Sequence, residues 1–297
     1  MRNIVKKALF VLVFAALAAG GSFAQTRDYE QEVRDVLDAV SLNDSGAAYA
    51  EKGQYDLAID QFTEAIRKNP NYVVAYNNRA GVYFQKADYD RAIADFTQLI
   101  RLDANNAGYY QSRGVCYYQK RDFDRAITDF TQAIRLDSKY AAAYGNRASA
   151  YNAKSDYDRA ITDYTQAIQL VSNNTDKATF YNYRGSAYSN KGDYDRAIAD
   201  YTQAIQLTSN NTNKATYYTN RAFAYFNKGD YDRAITDATE AIRLNSNYAP
   251  AYRTRGRAYM AKNNYTQARA DANRALQIDP NNQVGKDLDA DLKRRGY

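Results

Sequence analysis

Chemistry in this chain has to come from a short list of side chains. The 297 residues include no His and one Cys, which removes Ser/His/Asp and Cys/His triads, His-ligated zinc and every Cys-x-x-Cys site. Cys116 occupies a place where six equivalent positions hold Ala or Val, so its thiol reads as a small packing group and not as a nucleophile. Carboxylates are plentiful, but they recur at fixed intervals, whereas a catalytic acid–base pair would be a local exception. No enzyme, cofactor or metal is expected. What remains are amides and rings. Asn77, Asn78, Gln111, Asn146, Asn182 and Asn220 form a series of uncharged amides, with Phe84, Tyr118, Tyr183 and Phe226 in the same stretches. An amide has donors and an acceptor, so a row of them can pair with an extended peptide backbone while rings add apolar burial. Asn and Gln as soluble filler account for the same pattern equally well.

A repeat positions these residues. Asp-Tyr-Asp-Arg-Ala-Ile recurs at Asp88, Asp156, Asp193 and Asp230, with Asp-Phe-Asp-Arg-Ala-Ile at Asp122 and looser copies from Gln54 and Asn264. Self-alignment gives seven units: 39–72, 73–106, 107–140, 141–177, 178–214, 215–248 and 249–282. Such a period marks a solenoid, in which no unit buries its apolar face alone. Numbered within each unit, position 11 is Tyr and position 20 is Ala in all seven. Positions 4, 8 and 11 share one face of a first helix, and 17, 20, 24 and 27 one face of a second. Small residues at 8, 20 and 27 let the helices approach, rings at 4, 11, 17 and 24 fill the space, and Asp at 16 can cap the second helix. Most of the 30 Tyr are thereby packing residues.

These units resemble the tetratricopeptide repeat over Ala39–Asn282, on the strength of Gly or Ala at 8, Tyr at 11, Ala at 20 and Ala at 27. The family's Trp at 4 is replaced by Tyr in six units, and its Pro at 32 survives at Pro70 and Pro280 alone. The resemblance implies an all-α chain of antiparallel helix hairpins, stacked into a right-handed superhelix whose concave groove binds other proteins, usually as extended segments. It also implies that positions 2, 5, 6, 9, 12 and 13 line that groove, which is where the amides and rings named above fall. Charges on this face stand near its ends, at Asp44, Glu51, Arg253 and Arg257. No Lys occupies position 2 or 5, which disfavours the chaperone-binding subtype that holds a C-terminal carboxylate. The apolar spacing at 25–38 and 283–297 predicts a capping helix at each end.

Two departures are specific to this chain. The fourth and fifth units end in insertions, Thr175–Lys177 and Thr212–Lys214, which read as loop growth. Position 7, where the family buries Leu, is Arg in six units: Arg79, Arg113, Arg147, Arg184, Arg221 and Arg255. The same six carry Asp at position 23, from Asp95 to Asp271, while the first unit has Ser45 and Gln61 instead. Positions 7 and 23 lie at one level of a hairpin that turns near position 15, which predicts a structural interhelical Arg–Asp pair in each. The rival partner for the Asp is Arg at position 19, one helical turn away.

Arg2, Lys6 and Lys7, the apolar run Ala8–Ala19 and Ser22-Phe23-Ala24 have the layout of a secretory leader cut before Gln25. The run is too short to span a bilayer, so a periplasmic or secreted protein without a membrane span is expected. Of 40 basic and 34 acidic residues, the leader takes three basic ones, leaving 37 against 34, or +3; that is a poor basis for nucleic-acid binding. The combined expectation is an exported scaffold that binds a protein or peptide segment. The alternative is a glycan-binding module that stacks sugars on Phe84, Tyr118, Tyr183, Phe223 and Phe226.

Overall fold

The computed structural model describes residues 23–281 and 283–296. The leader expected over 1–24 lies outside them but for its last two positions. Among the described residues there are fifteen helices and no strand. They are α1 (Phe23–Glu51), α2 (Tyr55–Lys68), α3 (Val73–Gln85), α4 (Tyr89–Leu102), α5 (Ala107–Gln119), α6 (Phe123–Leu136), α7 (Ala141–Ala153) and α8 (Tyr157–Leu170). There follow α9 (Asn174–Lys191), α10 (Tyr194–Leu207), α11 (Asn211–Lys228), α12 (Tyr231–Leu244), α13 (Ala249–Ala261), α14 (Tyr265–Ile278) and α15 (Gln283–Arg294). The chain divides into two compact units, one ending at Leu136 and one starting at Asp137. Within each, the two helices of a repeat pack together and each second helix packs on the first helix of the next repeat.

The hairpin turn is fixed by one residue. Position 15 has positive φ in all seven repeats, at Gly53, Ala87, Arg121, Ser155, Gly192, Gly229 and Asn263. One residue in the left-handed region reverses the chain at little cost for Gly and more for Ala or Arg. The next residue caps the second helix: the Asp88, Asp122, Asp156, Asp193 and Asp230 carboxylates each accept from the backbone N–H three residues on. Arg at position 19 closes on the same carboxylate, as Arg125 does on Asp122 at 2.5 Å, and its guanidinium stacks on the position-11 Tyr, as Arg159 does on Tyr151 at 4.4 Å. That engagement answers the rival pairing. The Arg at 19 holds the cap, and the Asp at 23 is left to position 7.

All six Arg–Asp pairs are present. Each is bidentate, Nε and Nη2 donating to the two carboxylate oxygens, as in Arg113–Asp129 at 2.8 Å for both bonds. The six Asp are buried, at 4–6% exposure. A further bond ties the pair to the preceding repeat. Arg113 Nη1 donates to Thr97 Oγ1 at 3.1 Å, and Arg79, Arg184, Arg221 and Arg255 reach Thr63, Thr165, Thr202 and Thr239 in the same way. Each of these Arg therefore joins three helices.

Two expectations are corrected by the helix bounds. Residues 25–38 do not form a separate cap; α1 runs unbroken through Asp38-Ala39-Val40 into the first repeat, since that stretch has no Gly or Pro to end it. The insertions are not loops either. α9 and α11 have 18 residues where α7 and α13 have 13. Thr175–Lys177 and Thr212–Lys214 lie in their first turns, started by the side-chain caps Asn173 and Asn210.

The core is built from small residues and rings. Ala at positions 20 and 27 is fully buried, as at Ala126 and Ala133, and Phe62 and Phe130 are among the largest fully buried side chains. A Cβ on Gly114 would stand 2.7 Å from the Phe130 ring, so in this repeat Gly at position 8 leaves the ring at 24 its place. Where position 24 shrinks to Ala272, the end helix fills the space: Leu288 from α15 reaches to 2.9 Å of where a Cβ on Gly256 would lie.

Candidate functional site

Of the amides and rings singled out above, five lie in the N-terminal unit and six, counting Phe223, in the C-terminal one, and the surroundings of each decide what it can do. In the N-terminal unit Asn77 is exposed on α3. Asn78 turns toward the neighbouring first helix, its Nδ2 donating to Asn43 Oδ1 at 2.9 Å, and Asn43 is buried. Gln111 is buried as well, with no hydrogen-bond partner for its Oε1 among the described residues. Phe84 and Tyr118 are half-buried against the ring at position 17 of their own hairpins, 5.4 Å from Tyr89 and 5.5 Å from Phe123.

In the C-terminal unit Asn220 Nδ2 donates to Asn182 Oδ1 at 2.8 Å, and Asn182 is buried. Asn78 and Asn220 therefore clasp adjacent first helices through amide pairs, and this use of the ladder was not foreseen. Asn146 is half-buried. Tyr183 is the most open of the rings, 45% exposed, with its centroid 5.9 Å from that of Tyr164. Phe226 packs on Tyr231 at 5.6 Å and carries the Arg257 guanidinium on its face at 4.6 Å. Phe223 is 38% exposed on the same helix, α11.

An open cleft of about 400 Å³ lies between α11, α13 and α15, lined by Phe226, Arg257, Met260, Ala261, Asp287, Leu288, Asp291 and Arg295. Phe226 belongs to the predicted set; Met260 on α13 does not, nor do Asp287, Leu288 and Asp291 of α15 and Arg295 just beyond it, which the end helix brings there. Arg257 was noted in the sequence only as a charge near the end of the face. Its pKa is lowered, first by burial and then by the positive charge of Arg253.

The hairpin-turn edge has a different character. There, Lys at position 14 of one repeat pairs with Asp at position 18 of the repeat before it, as in Lys191–Asp158 at 2.5 Å and in Lys86–Asp56 and Lys228–Asp195. These charges are already paired, whereas the first-helix face presents rings and amides. Cys116 is fully buried, and burial pushes its thiol pKa up to about 12, so it stays protonated and unreactive near neutral pH. Among the described residues no group of three or more Cys, Asp or Glu is placed to hold a metal ion, and no helix is long and apolar enough to cross a membrane.

Residues 32–218 match the family of the ETO1 C-terminal domain, and residues 219–283 match the tetratricopeptide repeat family. Among solved structures, a tetratricopeptide repeat protein from Parabacteroides merdae is similar with a TM-score of 0.67 and 18% identity, over 85% of this chain and 97% of that one. MamA is similar with a TM-score of 0.53 and 25% identity, over 57% of this chain and 91% of its own. YrrB, described as a repeat protein of this kind with an unusual peptide-binding site, gives 0.50 and 20%, over 66% of this chain and 97% of its own. No curated protein matches the chain.

Proposed function

We propose, for a chain that belongs to the ETO1 C-terminal domain family and is a tetratricopeptide repeat protein, that its first-helix face binds an extended, largely uncharged polypeptide segment. A protein-interaction scaffold follows from the family; the face and the ligand are the finer reading. The observation that carries it is the exposure of Tyr183 and Phe223 on that face, beside the cleft at Phe226. Open rings bordered by uncharged polar groups suit a segment whose backbone is hydrogen-bonded and whose apolar side chains are buried. The peptide-binding site named for YrrB is consistent with this use of the fold.

Replacing Asn78, Asn146 and Asn220 together would mix two effects, because Asn78 and Asn220 also clasp neighbouring helices. The cleaner variant is Tyr183→Ser with Phe223→Ser. Selection from a displayed library of 12-residue peptides should yield binders to the parent chain, and the double variant should bind them at least about tenfold more weakly at unchanged helicity. Binding should also depend weakly on salt, as expected when few exposed charges take part. If no peptide is selected while a glycan array lights up, the peptide reading fails in favour of the glycan one.

Export completes the proposal: the protein acts outside the cytoplasm after losing Met1–Ala24. The support is the charged, apolar and small-residue layout of that segment. Intact-mass measurement on protein from its host should place Gln25 first, and a full-length species retained in the cytoplasm would overturn the assignment.

A further inference from the structure

The Arg side chains at positions 7 and 19 come with carboxylates, whereas Arg257, half-buried at position 9, has none among the described residues, and neither has its neighbour Arg253. The six position-7 guanidinium groups each hold a bidentate Asp, and Arg91, Arg125, Arg159, Arg196 and Arg233 each hold the Asp that caps their helix. Arg257 lies against Phe226 and Phe223, 4.6 Å and 5.9 Å from the ring centroids, and among the described residues nothing accepts a hydrogen bond from it. Neither acid on the facing wall of the cleft bonds Arg257: Asp291 pairs with Arg294 at 2.7 Å, and Asp287, which keeps its charge, accepts from the Gln283 amide at 2.9 Å. Arg253, one turn earlier on α13, adds a second positive charge, and Arg295 stands at the rim. Met260, Ala261, Leu288 and Phe226 give the rest of the lining an apolar character.

A guanidinium held flat on a ring keeps its edge donors free, and that edge suits a carboxylate. An apolar wall beside it suits an aliphatic or aromatic side chain. We infer that this cleft is an anchor for an acidic side chain, an Asp or Glu within the bound segment, next to an apolar residue that fills the space between Met260 and Leu288. This rests on the reading of the first-helix face as peptide-binding and adds one fixed charge to an otherwise uncharged ligand.

The probes are peptides selected by display on the purified mature chain, then resynthesised with acetylated and amidated ends, so that no chain terminus supplies the carboxylate. Each is paired with its Glu→Gln or Asp→Asn form. The selected set should be enriched in an acidic residue next to an apolar one, and the acidic form should bind about tenfold or more tightly than the amide form. In Arg257→Gln that preference should vanish. Arg257→Lys should keep a reduced preference, since it keeps the charge and loses the flat donor edge. Arg257 has no ion pair to lose, only its stacking on Phe226 and Phe223, so both variants should keep the parental helicity, which circular dichroism checks. Selected peptides that bind equally well in acidic and amide form, or a preference that survives in Arg257→Gln, would overturn the anchor and leave the peptide-binding face standing. Failure to select any peptide would overturn both. A preference seen only for uncapped peptides would move the specificity to a chain terminus and refute the internal acidic residue.

Discussion

Replacing Asp200 with Ala should destabilise the C-terminal unit by about 3–5 kcal/mol, the scale expected when one partner of a buried ion pair is removed. Arg184 donates Nε and Nη2 to the Asp200 oxygens, both at 2.8 Å, and Nη1 to Thr165 Oγ1 at 2.9 Å. The guanidinium also lies over Tyr181 at 5.4 Å. Without Asp200 it stays packed among α8, α9 and α10 with its charge uncompensated, and the side chains are only 17% and 7% exposed. The Asp hydrogen bond raises the Arg184 pKa against the opposing effect of burial, so release of the proton offers no escape near neutral pH. The double variant Arg184→Met with Asp200→Leu should recover most of the loss, because a well-packed apolar pair of similar volume replaces an ion pair at little net cost. Urea unfolding followed by hydrogen exchange on α9 and α10 measures both. A loss of less than about 1 kcal/mol for Asp200→Ala would place the pair among the weak surface bridges.

The pair itself was legible because two positions, 7 and 23, change together: the first repeat has Ser45 and Gln61 and lacks both charges. The third member was equally present and missed. Thr63, Thr97, Thr165, Thr202 and Thr239 sit at position 25 of repeats whose successors carry the Arg, and the last repeat, which has no such successor, has Asn273 there. Reading one repeat at a time hides a bond made between repeats. The amides failed to read for a related reason. Positions 5 and 6 lie away from the hairpin's own core, which a single helix wheel shows correctly. Stacking brings neighbouring first helices close enough for Asn78 to reach Asn43 and Asn220 to reach Asn182. Three of the six amides, Asn78, Asn182 and Asn220, thereby enter pairs between helices, while Asn77 and Tyr183 stayed open. The insertions misled because Asn, Thr, Asp and Lys suit a loop by composition. Asn-Asn-Thr, with the first Asn as the cap, is also a capped first turn, and the helix that follows extends into it.

Leu288→Ala should cost about 2–5 kcal/mol, the range for truncating a large buried aliphatic residue, and the loss should fall on the last repeat. In the first, third and fifth repeats, Gly at position 8 is covered by the ring at 24 of the same hairpin, as Gly46 by Phe62, Gly114 by Phe130 and Gly185 by Tyr201. The seventh keeps Gly256 but has Ala272 at 24, and Leu288 covers the glycine from the far side. It joins Leu292, Ala268 and Ala272 in one buried cluster. The Arg269–Asp289 ion pair holds the same helix from the side. On the outward face of α15, Lys286, Ala290 and Lys293 stand at the spacing where a further second helix would need small residues and a ring, and all three are exposed. α15 thus turns its apolar side to the last repeat and its charged side outward. Truncating Leu288 leaves a cavity over Gly256 that α15 cannot collapse into while Leu292 holds its register. Hydrogen exchange should accelerate in α13, α14 and α15 and remain at parental rates in α7 and α8. Ala272→Phe in the Leu288→Ala background should restore part of the loss, because the ring would take the place that Phe130 takes over Gly114. Parental exchange in α14 and α15 after Leu288→Ala would show that the last repeat is covered by its own residues and that α15 is an appendage.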